Sequence, residues 1–176
     1  VALVTDMNEP LGRFIGNSLE VEECIAILRR EGLRGRPLSD FTDCESLSVE
    51  LAGTMIWLGG KADSPEAGVL RARQILDSGE AFKKFKELVK IQGGDLDGLP
   101  KAKAVHDVVS RSTGHVHSID TEQVGYASLI LGAGRQKSTD TVDLLAGIEV
   151  LVRCGDEVKI GSPLYRLYGS ATTNEL

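Results

Sequence analysis

The hydrophobic pattern of this chain changes its period at residues 92–100 (QGGDLDGLP). Before this segment apolar residues recur at helical spacing, and after it they form short β-branched runs between glycine, serine and aspartate. The change predicts two regions with a boundary near residue 94. We expect residues 1–94 to be the end of a helix-covered α/β domain. Residues 95–170 are then a small β-rich α+β domain like a barrel-sandwich, and residues 171–176 a tail.

The first thirty residues combine an apolar run, a turn and the start of an acidic helix. Val1–Thr5 (VALVT) is typical of a buried parallel strand, and because it starts with no lead-in we expect the chain to be an internal piece of a longer protein. Residues 8–12 (NEPLG) hold the asparagine, proline and glycine that favour a turn. Helical spacing then predicts a helix from about Ser18 to Arg30, with Asn17 as its N-cap and Glu20 completing a capping box.

Three more helices are predicted before the boundary. One runs from about Asp43 to Leu58, one opens at Ser64–Pro65 and reaches about Asp77, and one starts at Ser78. We interpret all three as scaffold. The residues expected to face the core are Leu47, Leu51, Met55 and Leu58 in the first of them and Phe82, Phe85, Leu88 and Val89 in the last.

Beyond the boundary the pattern predicts strands interrupted by one helix. The helix is opened by Asp120 or Thr121 and ended by GAGR at residues 132–135. Residues 152–164 (VRCGDEVKIGSPL) have the sequence pattern of a strand, a tight turn and a second strand, which biotin and lipoyl carriers also have. No Met-Lys-Met-like tip is present to carry either cofactor, so a non-enzymatic binding or carrier module is the weaker interpretation. The predicted strands lie in AVHDVVS, HVHSI, GIEVLVRC, EVKIG and PLYRLYG.

Composition and charge exclude several classes of function. The net charge of −6 and the pI near 5.1 argue against nucleic-acid binding, which needs clustered lysine and arginine. Cys24, Cys44 and Cys154 are odd in number and far apart, so we expect neither disulfides nor a zinc site, and a reducing cytoplasm fits best. No apolar run approaches the roughly 20 residues of a membrane span.

Glu20 is the sharpest candidate for chemistry in the first part of the chain. Its carboxylate can cap the helix, or it can bind a hard or alkali cation together with backbone carbonyls of the preceding turn. Because a helix N-terminus favours anions, such a cation would need several carbonyl oxygens besides the carboxylate. The spacing leaves both interpretations open.

The histidines and two glycine-containing segments are weaker candidates. Alternation places His115 and His117 on one strand face, with His106 nearby, but no third metal ligand is evident and a solvated face is favoured. Residues 111–115 (RSTGH) lie between predicted strands and residues 131–139 (LGAGRQKST) follow a helix. Neither has the strand-to-helix context of a phosphate cradle, so the residues alone specify no nucleophile, general base or cofactor loop.

Three segments occur in an order that resembles one enzyme family. They are TDMNEPLGRFIGNSLEVEE, GYASLILGAGR and GDEVKIGSPLYRLY, at residues 5–23, 125–135 and 155–168. Together they resemble the later part of thymidine phosphorylase and related pyrimidine-nucleoside phosphorylases, over the chain from Val1 to about Gly169. The resemblance implies phosphorolysis of thymidine to thymine and 2-deoxyribose 1-phosphate, with inorganic phosphate as co-substrate and no redox cofactor. The phosphate and base contacts of the family lie upstream, so the resemblance implies no catalytic residue in this chain, which should be inactive alone.

The resemblance also implies a potassium ion beside the phosphate loop of the complete enzyme. Its ligands in this chain would be the backbone carbonyls of Leu11 and Phe14 and the carboxylate of Glu20. Phe14 is bulkier than the small residue typical of its place, which matters only if the ring reshapes the turn. We further expect a homodimer when the enzyme is complete, and nucleoside monophosphate phosphorylases are the alternative among enzymes.

Overall fold

A computed structural model describes residues 1–135 and 137–169. The described chain folds into two compact units, one of residues 22–99 and one of residues 1–21 with the residues from Pro100 onward. The helices are α1 (Asn17–Arg29), α2 (Thr42–Leu58), α3 (Pro65–Asp77), α4 (Glu80–Ile91) and α5 (Thr121–Ser128), with a 3-10 turn at Leu38–Phe41 and a π turn at Leu129–Ala133. The strands are β1 (Phe14–Ile15), β2 (Ala104–Val109), β3 (Gly114–His115), β4 (Gly147–Val150), β5 (Glu157–Val158) and β6 (Pro163–Tyr168).

The predicted helix starts are confirmed to within about two residues, as are the predicted ends of α1, α2 and α3. Helix α5 ends at Ser128, before the predicted GAGR, and the π turn at Leu129–Ala133 continues the chain to that segment. Ser64 caps α3, because its Oγ accepts a hydrogen bond from the Ala67 N–H at 3.2 Å. Asp120 caps α5 in the same way, with Oδ1 at 3.0 Å from the Gln123 nitrogen. In the described ranges every helix is too short or too polar for a membrane span.

Helices α2 and α3 pack through glycine, and this decides which face of α2 is buried. A Cβ on Gly68 would lie 2.1 Å from the Gly53 carbonyl oxygen, so only glycine permits the contact. The cluster at this contact consists of Val49, Ala72 and Leu76. The predicted core stripe of α2 is therefore wrong for Leu51, Met55 and Leu58, which lie outside the glycine face and are 41%, 66% and 57% exposed. The fourth residue of the stripe, Leu47, is half-buried.

The expected inward face of α4 is also wrong in part. No residue of α4 is fully buried, and Leu88 is half exposed. Phe82 is half-buried, and two cations lie over its ring. The Arg29 guanidinium carbon lies 4.7 Å and the Lys86 Nζ 5.1 Å from its ring centroid.

A buried carboxylate ties three helical segments of the same unit together. Glu45 of α2 is 7% exposed and forms ion pairs with Arg30, just after α1, and with Arg73 of α3. Arg30 also pairs with Asp77 at 3.2 Å. Burial of Glu45 is tolerable because each carboxylate oxygen has a cationic donor.

The second unit is built on an antiparallel sheet with the strand order β1, β4, β6, β2. Strands β3 and β5 form a separate two-stranded ladder. The core of the unit contains Ile119, Val124, Ile148 and Val150. Because the strands of the described ranges pair antiparallel, the described chain is an α+β fold, which confirms the α+β character expected of the β-rich part. The α/β class expected of the preceding domain and the barrel-sandwich form stay predictions.

The first five residues do not form the predicted parallel strand. Val1–Thr5 have no regular secondary structure and are exposed, because no described strand lies beside them to take their backbone hydrogen bonds. Residues 1–21 belong to the same compact unit as the β-rich part, whereas the sequence predicts them in the first domain. The domain bounds 1–94 and 95–170, which concern a longer protein, stay a prediction, and the tail 171–176 lies outside the described residues.

Candidate functional site

Arg153, which follows β4, contacts the turn before α1 through two hydrogen bonds. Arg153 Nη1 donates to the Pro10 carbonyl oxygen at 2.9 Å and Nη2 donates to the Gly12 carbonyl oxygen at 2.7 Å. Its own charge is balanced by Glu9, whose Oε2 lies 3.6 Å from Nη1. The arginine side chain is 19% exposed, so these contacts are largely sheltered from water.

The Glu9 carboxylate and the neighbouring strand fix the turn at its two ends. Glu9 Oε1 accepts from the Cys154 N–H at 2.9 Å. At the other end the Val150 N–H donates to the Arg13 carbonyl oxygen at 2.8 Å, and Arg13 Nη1 donates to the Val152 carbonyl oxygen at 3.3 Å. The turn is thus attached along its length to residues 150–154.

Leu11 lies between the two carbonyls that Arg153 holds. Leu11 is 51% exposed, and within the described ranges its carbonyl oxygen accepts no hydrogen bond. Gly12 has a φ of +71°, which reverses the chain direction at this point. The Leu11 carbonyl is therefore open to an additional ligand.

Phe14 combines a buried ring with a backbone at the edge of the sheet. The ring is 2% exposed, so its bulk is taken up by the core instead of by the turn. In β1 Phe14 is opposite Glu149, and the adjoining pair of Arg13 and Val150 is the hydrogen-bonded one. Antiparallel ladders alternate, so the Phe14 N–H and C=O are directed away from β4. Since β1 is the edge strand, this is the side that faces away from the other strands of the sheet.

Glu20 closes the start of α1 onto Gly16. The Gly16 N–H donates to Glu20 Oε1 at 3.0 Å, and the Glu20 N–H donates to the Gly16 carbonyl oxygen at 2.9 Å. Gly16 is therefore the N-cap, and the prediction of Asn17 is wrong, because the Asn17 Nδ2 donates to the Ala133 carbonyl oxygen at 2.8 Å. Glu20 is also exposed to solvent, so its carboxylate is accessible to a ligand while it caps the helix.

The three predicted ligands, Leu11, Phe14 and Glu20, thus lie on consecutive parts of one turn, strand and helix. Two backbone carbonyls and one carboxylate form the all-oxygen donor set that hard and alkali cations prefer. These residues fit a cation in chemistry, and the cation site itself stays a prediction.

The histidine candidates are dispersed over the β-rich unit. His115 is opposite Glu157 in the β3–β5 ladder, and His117 lies beyond the strand end. Both are exposed, as is His106 of β2, which agrees with a solvated face. Within the described ranges no three residues of the metal-binding types are close enough to hold an ion.

A groove between α5 and the sheet was not anticipated from the sequence. Its volume is about 720 Å³, and it is lined mainly by apolar side chains such as Val124, Ile148 and Leu167, with His106 and Tyr165 among the polar ones. Burial raises the pKa of the Tyr165 phenol. No spacing in the sequence marks these residues, because they come from four separate elements, β2, α5, β4 and β6.

The turn, the edge strand and the α5 region define an α+β protein with a β-rich C-terminal domain and an oxygen-rich turn. Residues 115–175 match the family model for the pyrimidine nucleoside phosphorylase C-terminal domain. The pyrimidine-nucleoside phosphorylase of Bacillus subtilis (strain 168) is 36% identical to the chain over 176 residues. Those of Staphylococcus aureus strains bovine RF122 / ET3-1 and USA300 are each 34% identical.

These alignments cover 97% of this chain and 39% of each relative. The chain belongs to the pyrimidine-nucleoside phosphorylase family, as the three sequence segments predicted, and corresponds to a C-terminal portion of it. It spans about two fifths of the length of the curated relatives it matches.

Proposed function

We propose that this chain is part of a pyrimidine nucleoside phosphorylase, which uses inorganic phosphate to cleave thymidine into thymine and 2-deoxyribose 1-phosphate. The observation that carries the proposal is the similarity to such enzymes along nearly the whole chain. The reaction needs no redox cofactor. We further propose that the complete enzyme is a cytoplasmic homodimer that binds neither nucleic acid nor membranes, and that its β-rich domain is a barrel-sandwich.

In this proposal the phosphate and base contacts come from residues outside this chain, which is inactive alone. The chain contributes a potassium site through the carbonyls of Leu11 and Phe14 and the carboxylate of Glu20. The open Leu11 carbonyl, the outward direction of the Phe14 carbonyl and the exposure of Glu20 support this set. A bound potassium ion would offset the negative charge of the neighbouring phosphate, while the chain's own turn and helix hold its ligands in place.

The test is to assay the complete protein with thymidine, uridine and their 5′-monophosphates, with and without phosphate. Base release from a nucleoside that requires phosphate supports the proposal. Preference for the monophosphates would instead favour the nucleoside monophosphate phosphorylase alternative. Phosphate-dependent activity of the isolated chain after repurification would contradict the division of roles.

The potassium ligand is tested with Glu20→Gln in the complete protein. Glutamine keeps an oxygen that can accept from the Gly16 N–H, so the cap is retained while the negative charge is lost. We expect potassium activation to weaken, whereas the exposed Glu50→Gln control on α2 leaves it unchanged. Glu23→Gln is the second comparison, because Glu23 is the buried carboxylate of the same helix. An effect of Glu23→Gln alone would mean that Glu20 is only a cap.

A further inference from the structure

We infer that Arg153 is a positioning residue for the potassium site, acting from the C-terminal domain on the turn that supplies the Leu11 carbonyl. The inference rests on the proposed function. Its basis is that one guanidinium binds the carbonyls on both sides of Leu11, at Pro10 and Gly12. Arg153 itself lies within the range that matches the family's C-terminal domain.

The geometry of the contact explains why arginine is suited to this position. A guanidinium presents several N–H donors in one rigid plane, so its two bonds set the distance and the relative direction of two carbonyls at once. Two further contacts fix the arginine in turn. Its backbone N–H donates to Asp156 Oδ2 at 2.7 Å, and Glu9 Oε2 faces its Nη1 at 3.6 Å.

Some carbonyl oxygens of the turn therefore accept hydrogen bonds from the residues that the structure describes, whereas the Leu11 oxygen does not. The oxygens of Pro10 and Gly12 are taken by Arg153, and that of Arg13 is taken by the Val150 N–H. The Leu11 oxygen receives no such bond from the described part of the chain. Because neighbouring peptide planes share their Cα atoms, fixing the planes on either side restricts the direction of the Leu11 carbonyl. Arg153 thus organises a ligand that it does not touch.

A residue that orients a potassium ligand and a residue that only stabilises the fold have different measurable effects. Residues that orient metal ligands from outside the first coordination sphere typically change metal affinity by about 10–100-fold when they are substituted. A residue that only stabilises the fold lowers the thermal midpoint without changing the potassium concentration that half-saturates the enzyme. The two roles are therefore separable by titration.

The experiment compares Arg153→Lys with Arg166→Lys in the complete protein. Arg166 is the matched control because it also makes two bonds, to Asp107 Oδ1 at 2.8 Å and Oδ2 at 3.0 Å, but it does not contact the turn. Potassium chloride is titrated against choline chloride at constant ionic strength. One readout is the rise in thermal midpoint, which reports binding without turnover, and the other is the half-activating potassium concentration.

We expect Arg153→Lys to raise the potassium concentration at half-saturation by about tenfold in both readouts. Most of the turnover number should return at saturating potassium, and Arg166→Lys should match the unsubstituted enzyme. Glu9→Gln provides a second variant, which weakens the hold on Arg153 but keeps an acceptor for the Cys154 N–H. It should shift the titration in the same direction by a smaller factor.

Equal potassium titrations of the unsubstituted enzyme, Arg153→Lys and Glu9→Gln would overturn the inference and leave the proposed function intact. If Arg153→Lys does not fold, the Glu9→Gln titration decides by the same criterion. Absence of any potassium effect on the unsubstituted enzyme would overturn the cation site and this inference together. Absence of phosphorolysis would overturn the proposed function itself, so the failures are distinguishable.

Discussion

The junction between β1 and α1 predicts that Gly16→Ala is strongly destabilising. Gly16 has a φ of +135°, a conformation that side chains with a Cβ rarely adopt, and this strain costs about 1–3 kcal/mol. A Cβ there would also lie 2.4 Å from the Ala146 carbonyl oxygen and 2.8 Å from the Gly147 Cα. Overpacking of this kind costs about 1–3 kcal/mol more. We expect a loss of roughly 3 kcal/mol or more, which for a chain of this size lowers Tm by about 6–12 °C.

The assay is thermal unfolding of the chain followed by far-UV circular dichroism. Gly125→Ala is the matched control in the same unit, because Gly125 lies in α5 with open space around its missing Cβ. Alanine there should stabilise the helix by about 0.5–1 kcal/mol. A Gly16→Ala chain that unfolds within about one degree of the unsubstituted chain would contradict this prediction.

Two further predictions concern the unit of residues 22–99. Glu45→Gln removes the charge between Arg30 and Arg73, and since both arginines are about one-third exposed we expect a loss of only about 1–2 kcal/mol, measured by urea unfolding. The exposed Glu80→Gln should change stability by less than about 0.5 kcal/mol, and equal effects would contradict the role of Glu45. Burial, with the Glu23 charge adding to it, raises the pKa of the Cys44 thiol to about 11. Iodoacetamide should therefore modify Cys44 much more slowly than the exposed Cys24 at pH 8, and the stability that the neutral Cys44 thiol contributes below about pH 9 should be lost toward pH 11. Equally fast modification of both would show that Cys44 is not protected.

Local signals in the sequence predict helix ends better than helix faces. Ser64 and Asp120 cap helices with side chains whose partners lie three residues away, so spacing alone reveals them. The buried face of α2 instead depends on Gly53 and Gly68, which meet only when two helices pack. Leucine spacing therefore favoured a stripe that the structure leaves exposed.

The residues of the candidate site were likewise predicted only in part from the sequence. The residue types at positions 8–12 predict a chain reversal, and Glu20 predicts the start of a helix. The family resemblance adds Leu11 and Phe14 as ligands. Arg153 was missed because its partners lie 141 and 143 residues earlier, and no motif relates the two segments. Gly16 was missed as the N-cap because its left-handed conformation depends on the approach of β4.

Whether the complete protein is a phosphorylase is best measured by following phosphate itself. Thymidine, or uridine, is incubated with phosphate, and the products are quantified by phosphorus NMR for the sugar phosphate and by chromatography for the base. We expect free base and sugar 1-phosphate in equal amounts, with neither formed when phosphate is omitted. Base release that proceeds without phosphate, or a complete protein that leaves both nucleosides intact, would contradict it.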